Sequence, residues 1–570
     1  MNEPGKIFSQ NPEIVVDKSL LRLTWLCLAC IGLAAGSAYV HANIHPITQE
    51  WFLVFQAASL IAIVGLIHSY WIRYFHASTV LARGFLILLL AAWFFSAVNL
   101  ATHAFSWHDE IYSWNLWAIE HWERKPYDRY YTQASYPQLF AYWLASIYGA
   151  QGGFVSQLAP RLSVSIPLIL LMATAISFWP RGLSQRQTVL CGLVIVWMVT
   201  RSWGDVRLGY ADPLMAAALV LSIACFVVYT HDRGAQWWWM SIIAAMISAL
   251  TKQPAVLWAC GSLPLLALVG WRWKQWPPSV VAITFLEAAL IAWATFVLMP
   301  EVTNNQGVYA AGLQDRGVWG TFAYSIDRYF IKKPDIPLVL IASWWSVRRV
   351  PLWHLAWWIT LAPMIGLWFT LGSYEMRQGL HVIWIAGIFL LIGLNYRWKP
   401  DLKQLPSKGP TNTKTISCTI ALILALGTSI AWRARQTDFD LQDGQKMAFT
   451  RQMKMQGATE FFENVVTNGA HVFVTSNYSW GLFYGRTSVF RIEHGSKVWT
   501  AESLRDFLLI NRIDYAISSG DYAIGPYSSL LMKLVRLCPD SMPEVLRSYE
   551  GRFGVFQIDR NSLTSCQVSG

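Results

Sequence analysis

Charge is scarce in this sequence. Asp, Glu, Lys and Arg make up 14% of its 570 residues, against roughly 25% in an ordinary soluble protein. The deficit is filled by apolar side chains: 55% of residues are hydrophobic, 32 are Trp, and the mean hydropathy is +0.35. A soluble enzyme is excluded, and an integral membrane protein is required. The N-terminal stretch MNEPGKIFSQNPEIVVDK lacks a short apolar core and a small-residue cleavage site, so the first long run, Leu20 to Tyr39, is expected to be a retained span. The 44 basic residues outnumber the 33 acidic ones, but they gather on no single soluble face. The net charge of +11 is therefore a topology signal, and nucleic acid is excluded as a partner. Cysteine is also sparse. Of eight, Cys27, Cys30, Cys191, Cys225, Cys260 and Cys418 lie in or near apolar runs, where packing explains them. Cys538 and Cys566 lie near the C-terminal end and are free to pair in an oxidising compartment.

What is present is a series of apolar runs of about 20 residues, enough for a helix to cross a hydrocarbon core of roughly 30 Å. Hydropathy and loop charge together predict about thirteen spans. Their centres fall near Ile31, Ala62, Leu90, Leu170, Ile195, Leu219, Ala245, Leu263, Ala292, Ile341, Pro363, Phe389 and Leu424. The expected fold class is a polytopic α-helical membrane protein. Basic residues collect in alternate connections: Lys18 with Arg22, Arg73 with Arg83, Arg181 with Arg186, Arg272 with Lys274, Arg348 with Arg349, then Arg397, Lys399, Lys403 and Lys408. The positive-inside rule makes these connections cytoplasmic. The loops around His108, Gly204 to Tyr210, Thr251 to Pro254, Glu301 to Pro334 and Ser373 to Gln378 then face the exterior, as does everything after Trp432. Lys252, Arg316, Arg328, Lys332, Lys333 and Arg377 are cations on that outer face. Placed against the orientation signal, they suggest an anionic ligand.

Three regions follow: a cytoplasmic tail (1–18), a transmembrane domain (19–432) with an exterior loop region (106–156) carrying juxtamembrane helices, and an exterior soluble α/β domain (433–570). In the last region a helical pattern from about Gln445 to Val466 precedes the strand HVFVTS from His471. A helix SLRDFLLINR follows, opened by a Ser503-x-x-Asp506 capping box, and then the strands IDYAIS and FGVFQID. Alternating helices and strands predict a small sheet covered by helices.

The exterior loop after the third span holds the adjacent carboxylates Asp109 and Glu110. Trp114, Trp117, Ile119 and Trp122 follow among Glu120, Glu123 and Arg124, the pattern of an amphipathic helix lying at the membrane interface. Such a helix would roof a cavity at the bilayer edge, where a carboxylate can take a proton from an incoming hydroxyl. His108, Asp109 and Glu110 also offer ligands for a divalent metal, but no second cluster has ligand spacing, so the metal question is open.

The run His108-Asp109-Glu110 is followed by Tyr136-Pro137-Gln138-Leu139, Gly209-Tyr210-Ala211-Asp212-Pro213-Leu214, Thr251-Lys252-Gln253-Pro254 and Tyr374-Glu375-Met376-Arg377. In that order, the set resembles the polyprenyl-phosphate-sugar-dependent glycosyltransferases of the GT-C superfamily. The match is closest to the bacterial branch similar to aminoarabinose and mannosyl transferases. It covers roughly Phe85 to Tyr396. There are two departures: three spans precede the Asp-Glu loop where the pattern usually has one, and Gln138 stands where a second Pro is common. The resemblance implies a GT-C-like fold in a bacterial inner membrane, with the active site and the last domain in the periplasm. It also implies inverting transfer of a sugar from a polyprenyl-phosphate donor to a hydroxyl of a lipid, glycan or protein. It assigns the general base to Asp109. Glu110 either holds the acceptor or is structural. Arg377 and Lys252 are candidates for the donor phosphate. His381 lies one turn beyond Arg377, and Asp212 either caps its helix and pairs with Arg207 or takes part in catalysis. Tyr136, Arg316 and Glu375 complete the candidates.

Two other classes are weighed. A secondary transporter would use Glu287, a lone acid within an apolar run, but no internal repeat is found. A polymerase or O-antigen ligase would concentrate its basic and catalytic residues in a large late outer loop.

Overall fold

The computed structural model describes residues 14–75, 77, 79–102, 104–105, 110, 114–124, 137–154, 156–179, 183–205, 208–273, 275–296, 317–370, 379–397, 412–435, 469–475, 489–490, 500–519, 526–547 and 553–567. The apolar runs are helices. Within a bilayer each backbone N–H and C=O must be bonded inside its own segment, and a helix does this without a neighbour. The helices are α1 (Lys18–Asn43), α2 (Gln49–Phe75), α3 (Val80–Leu100), α4 (Asn115–Trp122), α5 (Leu139–Gln151), α6 (Leu158–Ser163), α7 (Ile166–Ser177), α8 (Gln185–Ser202), α9 (Ala211–Asp232) and α10 (Ala235–Thr251). They continue with α11 (Leu263–Arg272), α12 (Pro278–Phe296), α13 (Asp335–Val347), α14 (Pro351–Thr370), α15 (Leu380–Arg397) and α16 (Asn412–Ala434).

Among the described residues, eight helical segments are long and apolar enough to cross a membrane: α1, α2, α3, Leu158–Ser177, α9, Gln253–Arg272, α14 and Thr413–Ala434. The other expected centres also fall on helices. Ala292, Ile341 and Phe389 lie in shorter apolar ones, and Ile195 and Ala245 lie in α8 and α10. α13 has 13 residues and covers only about 20 Å, which is why length and apolarity alone select fewer spans than hydropathy with loop charge.

α9 is the axis. All of its most apolar window is buried, against 11% of that in Thr413–Ala434. Small residues on α9 (Ala216, Ala217, Ala218, Ser222, Ala224) let neighbouring helices approach closely. Its antiparallel partner is α10. Ser222 and Ser241 each donate a hydroxyl to the other's carbonyl, at 2.7 and 2.9 Å, and Ser248 Oγ donates to Met215 O at 2.8 Å. One further turn along this register brings Asp212 opposite Lys252. α10 stops there because Pro254 cannot continue it. Lys252 is extended (φ −161°, ψ 146°), and a 3-10 turn (Gln253–Ala255) and a π-helical turn (Leu257–Ser262) lead into α11.

The first two helices clasp the juxtamembrane pair α4–α5. His41 on α1 accepts from Ile47 N–H with Nδ1, bonds Trp122 O through Nε2, both at 3.0 Å, and stacks on the Trp122 ring at 4.8 Å. Gln56 on α2 donates to Ser146 on α5 at 2.8 Å.

Beyond the last span lies a five-stranded sheet, ordered β2 (Val489–Phe490), β1 (Val472–Val474), β3 (Tyr515–Ser519), β5 (Phe553–Gln557), β4 (Glu544–Arg547). β1 runs parallel to β2 and β3, while β5 is antiparallel to β3 and β4. The two-residue alternation of strands divides it between two cores. Val472, Val474, Ile517 and Val555 belong to the same apolar cluster as the membrane helices. Phe473, Ala516 and Phe556 pack with α17 (Ala501–Ile510) and α18 (Pro526–Leu537). The expected strands from His471 and at IDYAIS and FGVFQID are all present, joined by β2, β4, α18 and a short α19 (Arg560–Ser565). The helix pattern near Gln445 to Val466 lies outside the described residues.

The capping box of α17 sits three residues earlier than expected. Thr500 is extended and accepts from Ser503 N–H, while Ser503 Oγ accepts from Thr500 N–H. Ser503 is thus already helical. Cys538 and Cys566 form a disulfide, with Cα atoms 6.0 Å apart.

Candidate functional site

Glu110 is fully buried. Its Oε1 accepts from the Arg161 guanidinium on α6 and from Gly209 N–H, the latter at 2.6 Å. Arg161 in turn lies over the Phe105 ring at 5.3 Å, and Phe105 N–H donates to Gln157 Oε1 at 3.0 Å. A Cβ at position 209 would fall 2.6 Å from Phe105 and 3.2 Å from Glu110, so glycine is what lets the backbone reach this carboxylate. The carboxylate thus ties position 110 to α6 and to the segment that starts α9. Arg161 carries its own signal in the sequence: an arginine within the otherwise apolar segment Leu158–Ser177.

Three residues after Gly209, hence within about 11 Å of it along the chain, stands Asp212. It does not cap α9. The N-cap position is Tyr210, without a side-chain cap bond. Asp212 Oδ1 instead accepts from Lys252 Nζ at 2.6 Å, with both side chains buried. His381, the second residue of α15, is also buried, and its electrostatic surroundings are set by Asp212 and Lys252. Among the described residues Asp212 Oδ2 and both ring nitrogens of His381 have no hydrogen-bond partner. Leaving buried polar groups unbonded costs roughly 1–3 kcal/mol each, so such a concentration marks a place where something other than packing governs the sequence.

Residues from five stretches far apart in sequence therefore meet at one end of the helix bundle: Glu110, Arg161, Gly209 with Asp212, Lys252 and His381. His108, Asp109, Tyr136, Arg207, Arg316, Glu375 and Arg377 lie outside the described residues. Among those described, no group of three His, Cys, Asp or Glu side chains is arranged to hold a metal ion.

No protein-family model and no curated protein matches the chain.

A second set of cations lies between α8 and α13. Arg201 forms an ion pair with Asp335, which also accepts from Trp197 Nε1 at 2.7 Å. Nearby, Arg328 and Lys333 stand over the buried Tyr329 ring at 5.4 and 5.7 Å. Burial, with Arg201 and Arg328 alongside, pushes the Lys333 ammonium below its usual range. Lys332 is paired at 2.6 Å with Asp327, which raises it.

His121 on α4 is stacked on Tyr142 at 4.0 Å. Burial pushes its pKa down to about 3, partly opposed by a hydrogen bond with Gln138. His121 is therefore neutral at physiological pH.

Proposed function

We propose that the chain is an inverting membrane glycosyltransferase. It moves a sugar from a polyprenyl-phosphate donor to an acceptor hydroxyl at the outer face of a bacterial plasma membrane. The observation that carries this reading is the convergence of Glu110, Asp212, Lys252 and His381, contributed by the Asp-Glu loop, α9, the end of α10 and α15. These are residues of, or next to, the short motifs on which the family resemblance rests.

The chemistry is modest in what it asks of the protein. The acceptor oxygen attacks the anomeric carbon as its proton passes to the Asp109 carboxylate. The bond from that carbon to the phosphate oxygen breaks, and the lipid phosphate departs with the electron pair. A phosphate is already a good leaving group, so no second acid is needed, unlike the two-carboxylate arrangement of glycoside hydrolases. Arg377 is assigned to the phosphate, where a guanidinium fork fits two oxygens. Glu110, bound to Arg161 and Gly209, anchors the residue that follows Asp109 in the chain. Transfer from synthetic short-chain polyprenyl phosphosugars by the purified chain tests the reading, together with mass spectrometry of envelope glycolipids and glycans from cells with and without the gene. Absence of both transfer and any glycan change would overturn it.

One feature favours a secondary transporter as the second reading. Glu287 on α12 is buried, and both its carboxyl oxygens lack a hydrogen-bond partner among the described residues. Ion-gradient-driven uptake into proteoliposomes, lost in Glu287→Gln, would select that reading.

A further inference from the structure

We propose that Asp212 and His381 form a hydroxyl-recognising subsite that takes the sugar of the donor. The inference rests on the transferase reading and gives a ligand to groups which that reading leaves idle. Three atoms carry it: Asp212 Oδ2 and the two ring nitrogens of His381, none with a hydrogen-bond partner among the described residues. Their residues are 1% and 2% exposed, on α9 and α15, which pack against each other.

The chemistry of these atoms selects the ligand. Lys252 occupies Asp212 Oδ1 and balances its charge, so the pair offers a bare acceptor oxygen without a net field to draw a phosphate. A neutral imidazole adds one donor and one acceptor. The set is therefore mixed, with two acceptors and one donor. Phosphate oxygens only accept and would leave Asp212 Oδ2 facing another oxygen. An ammonium only donates and would leave the imidazole N–H unmatched. A hydroxyl does both; the two ring nitrogens point away from each other, so separate hydroxyls of one sugar would meet them, one of these also donating to Asp212 Oδ2. Position agrees with this. Asp212 is three residues from Gly209, whose N–H holds Glu110, the direct neighbour of the proposed base.

Binding separates this role from a structural one. The full chain in nanodiscs is titrated with a panel of short-chain polyprenyl phosphohexoses and phosphopentoses, with their deoxy analogues, and with the bare polyprenyl phosphate. In wild type, the best sugar-bearing ligand should bind more tightly than the bare phosphate, and at least one deoxy analogue should lose about tenfold. His381→Phe keeps an aromatic ring but removes both nitrogens. It should weaken the sugar-bearing ligand about tenfold, leave the bare phosphate unchanged, and no longer discriminate the deoxy analogue. His381→Gln, which restores a donor and an acceptor, should recover most of the loss. Equal weakening of both ligand types in His381→Phe would overturn the subsite, and so would a wild type indifferent to every deoxy change. That second outcome can be read even if the Phe variant does not fold. Tight wild-type binding with no transfer would sink the transferase reading and leave the subsite standing. Failure of wild type to bind any lipid phosphate would overturn both.

Discussion

Asp212 and Lys252 close one end of the α9–α10 hairpin with a buried ion pair, 2.6 Å from Oδ1 to Nζ. Serine-to-carbonyl bonds further down the hairpin set the helix register and so decide that these two residues meet. Removing one partner leaves a buried charge uncompensated, which typically costs 3–5 kcal/mol, whereas replacing both is often nearly neutral. Asp212→Asn and Lys252→Met should each lower stability by about that amount. The double variant should recover more than half of the combined loss. Unfolding in detergent, run as a double-mutant cycle, checks it; strict additivity would show that the two residues are not coupled.

Neighbouring carboxylates should fail differently. Glu110→Gln removes the carboxylate to which the buried Arg161 donates and should cost about 3 kcal/mol of stability, carrying activity down with it. Asp109→Asn is nearly isosteric but cannot take a proton at neutral pH. It should leave folding and donor binding intact while turnover falls at least about a hundredfold. Transfer rates and thermal unfolding of the two purified variants discriminate them. Near wild-type turnover in Asp109→Asn would remove it from the mechanism.

The packing around His121 should loosen in acid. His121 has a folded pKa of about 3, below its unfolded value of 6.5, so the unfolded chain binds the proton first as pH falls. Its contribution is complete above about pH 6.5 and is lost progressively toward pH 3. At pH 5 the loss is about 2 kcal/mol. His121→Gln keeps a hydrogen-bonding group that does not titrate and should flatten this part of the profile. Melting curves between pH 7 and pH 4 would show it, and an unchanged acid limb would refute the assignment.

Topology gives a fourth expectation. Single cysteines at His45, in the turn between α1 and α2, and at Glu502, on α17, should both react with an impermeant thiol reagent in intact spheroplasts. Val80→Cys at the start of α3 should not. The native thiols must first be made unreactive. Reaction of only one of the two outer sites would break the alternation of basic connections on which the orientation rests.

In the transmembrane region the helices were legible because each apolar run must satisfy its own backbone, a constraint contained within some twenty residues. All thirteen expected centres lie on helices. Length then separates them: α13, at 13 residues, carries Ile341 yet is too short to be recognised as a span by itself. In the C-terminal domain, period-two alternation reveals β1, β3 and β5. The two-residue β2 and the largely exposed β4 carry too little pattern to be read. The capping box was misplaced by one turn because Thr500 and Ser503 are both acceptable caps by residue type. Only the extended backbone at Thr500 decides between them.

At the site, sequence supplied the residue types: a carboxylate pair, an Asp before Pro213, a Lys at a Pro-broken turn, a His near a late helix start. Each is a local oddity and can be seen locally. Their partnerships are not local. Glu110 bonds Arg161, which is 51 positions away, and Lys252 bonds Asp212 across 40 positions. Those distances are closed by helix register and by the glycine at 209 that admits the Glu110 side chain. The sequence by itself therefore determined that this chain is a helical membrane protein with an α/β domain after its last span. Only the tertiary structure decided which charges neutralise one another and which buried polar atoms are left over, because pairing depends on how helices pack, and a linear pattern does not contain that.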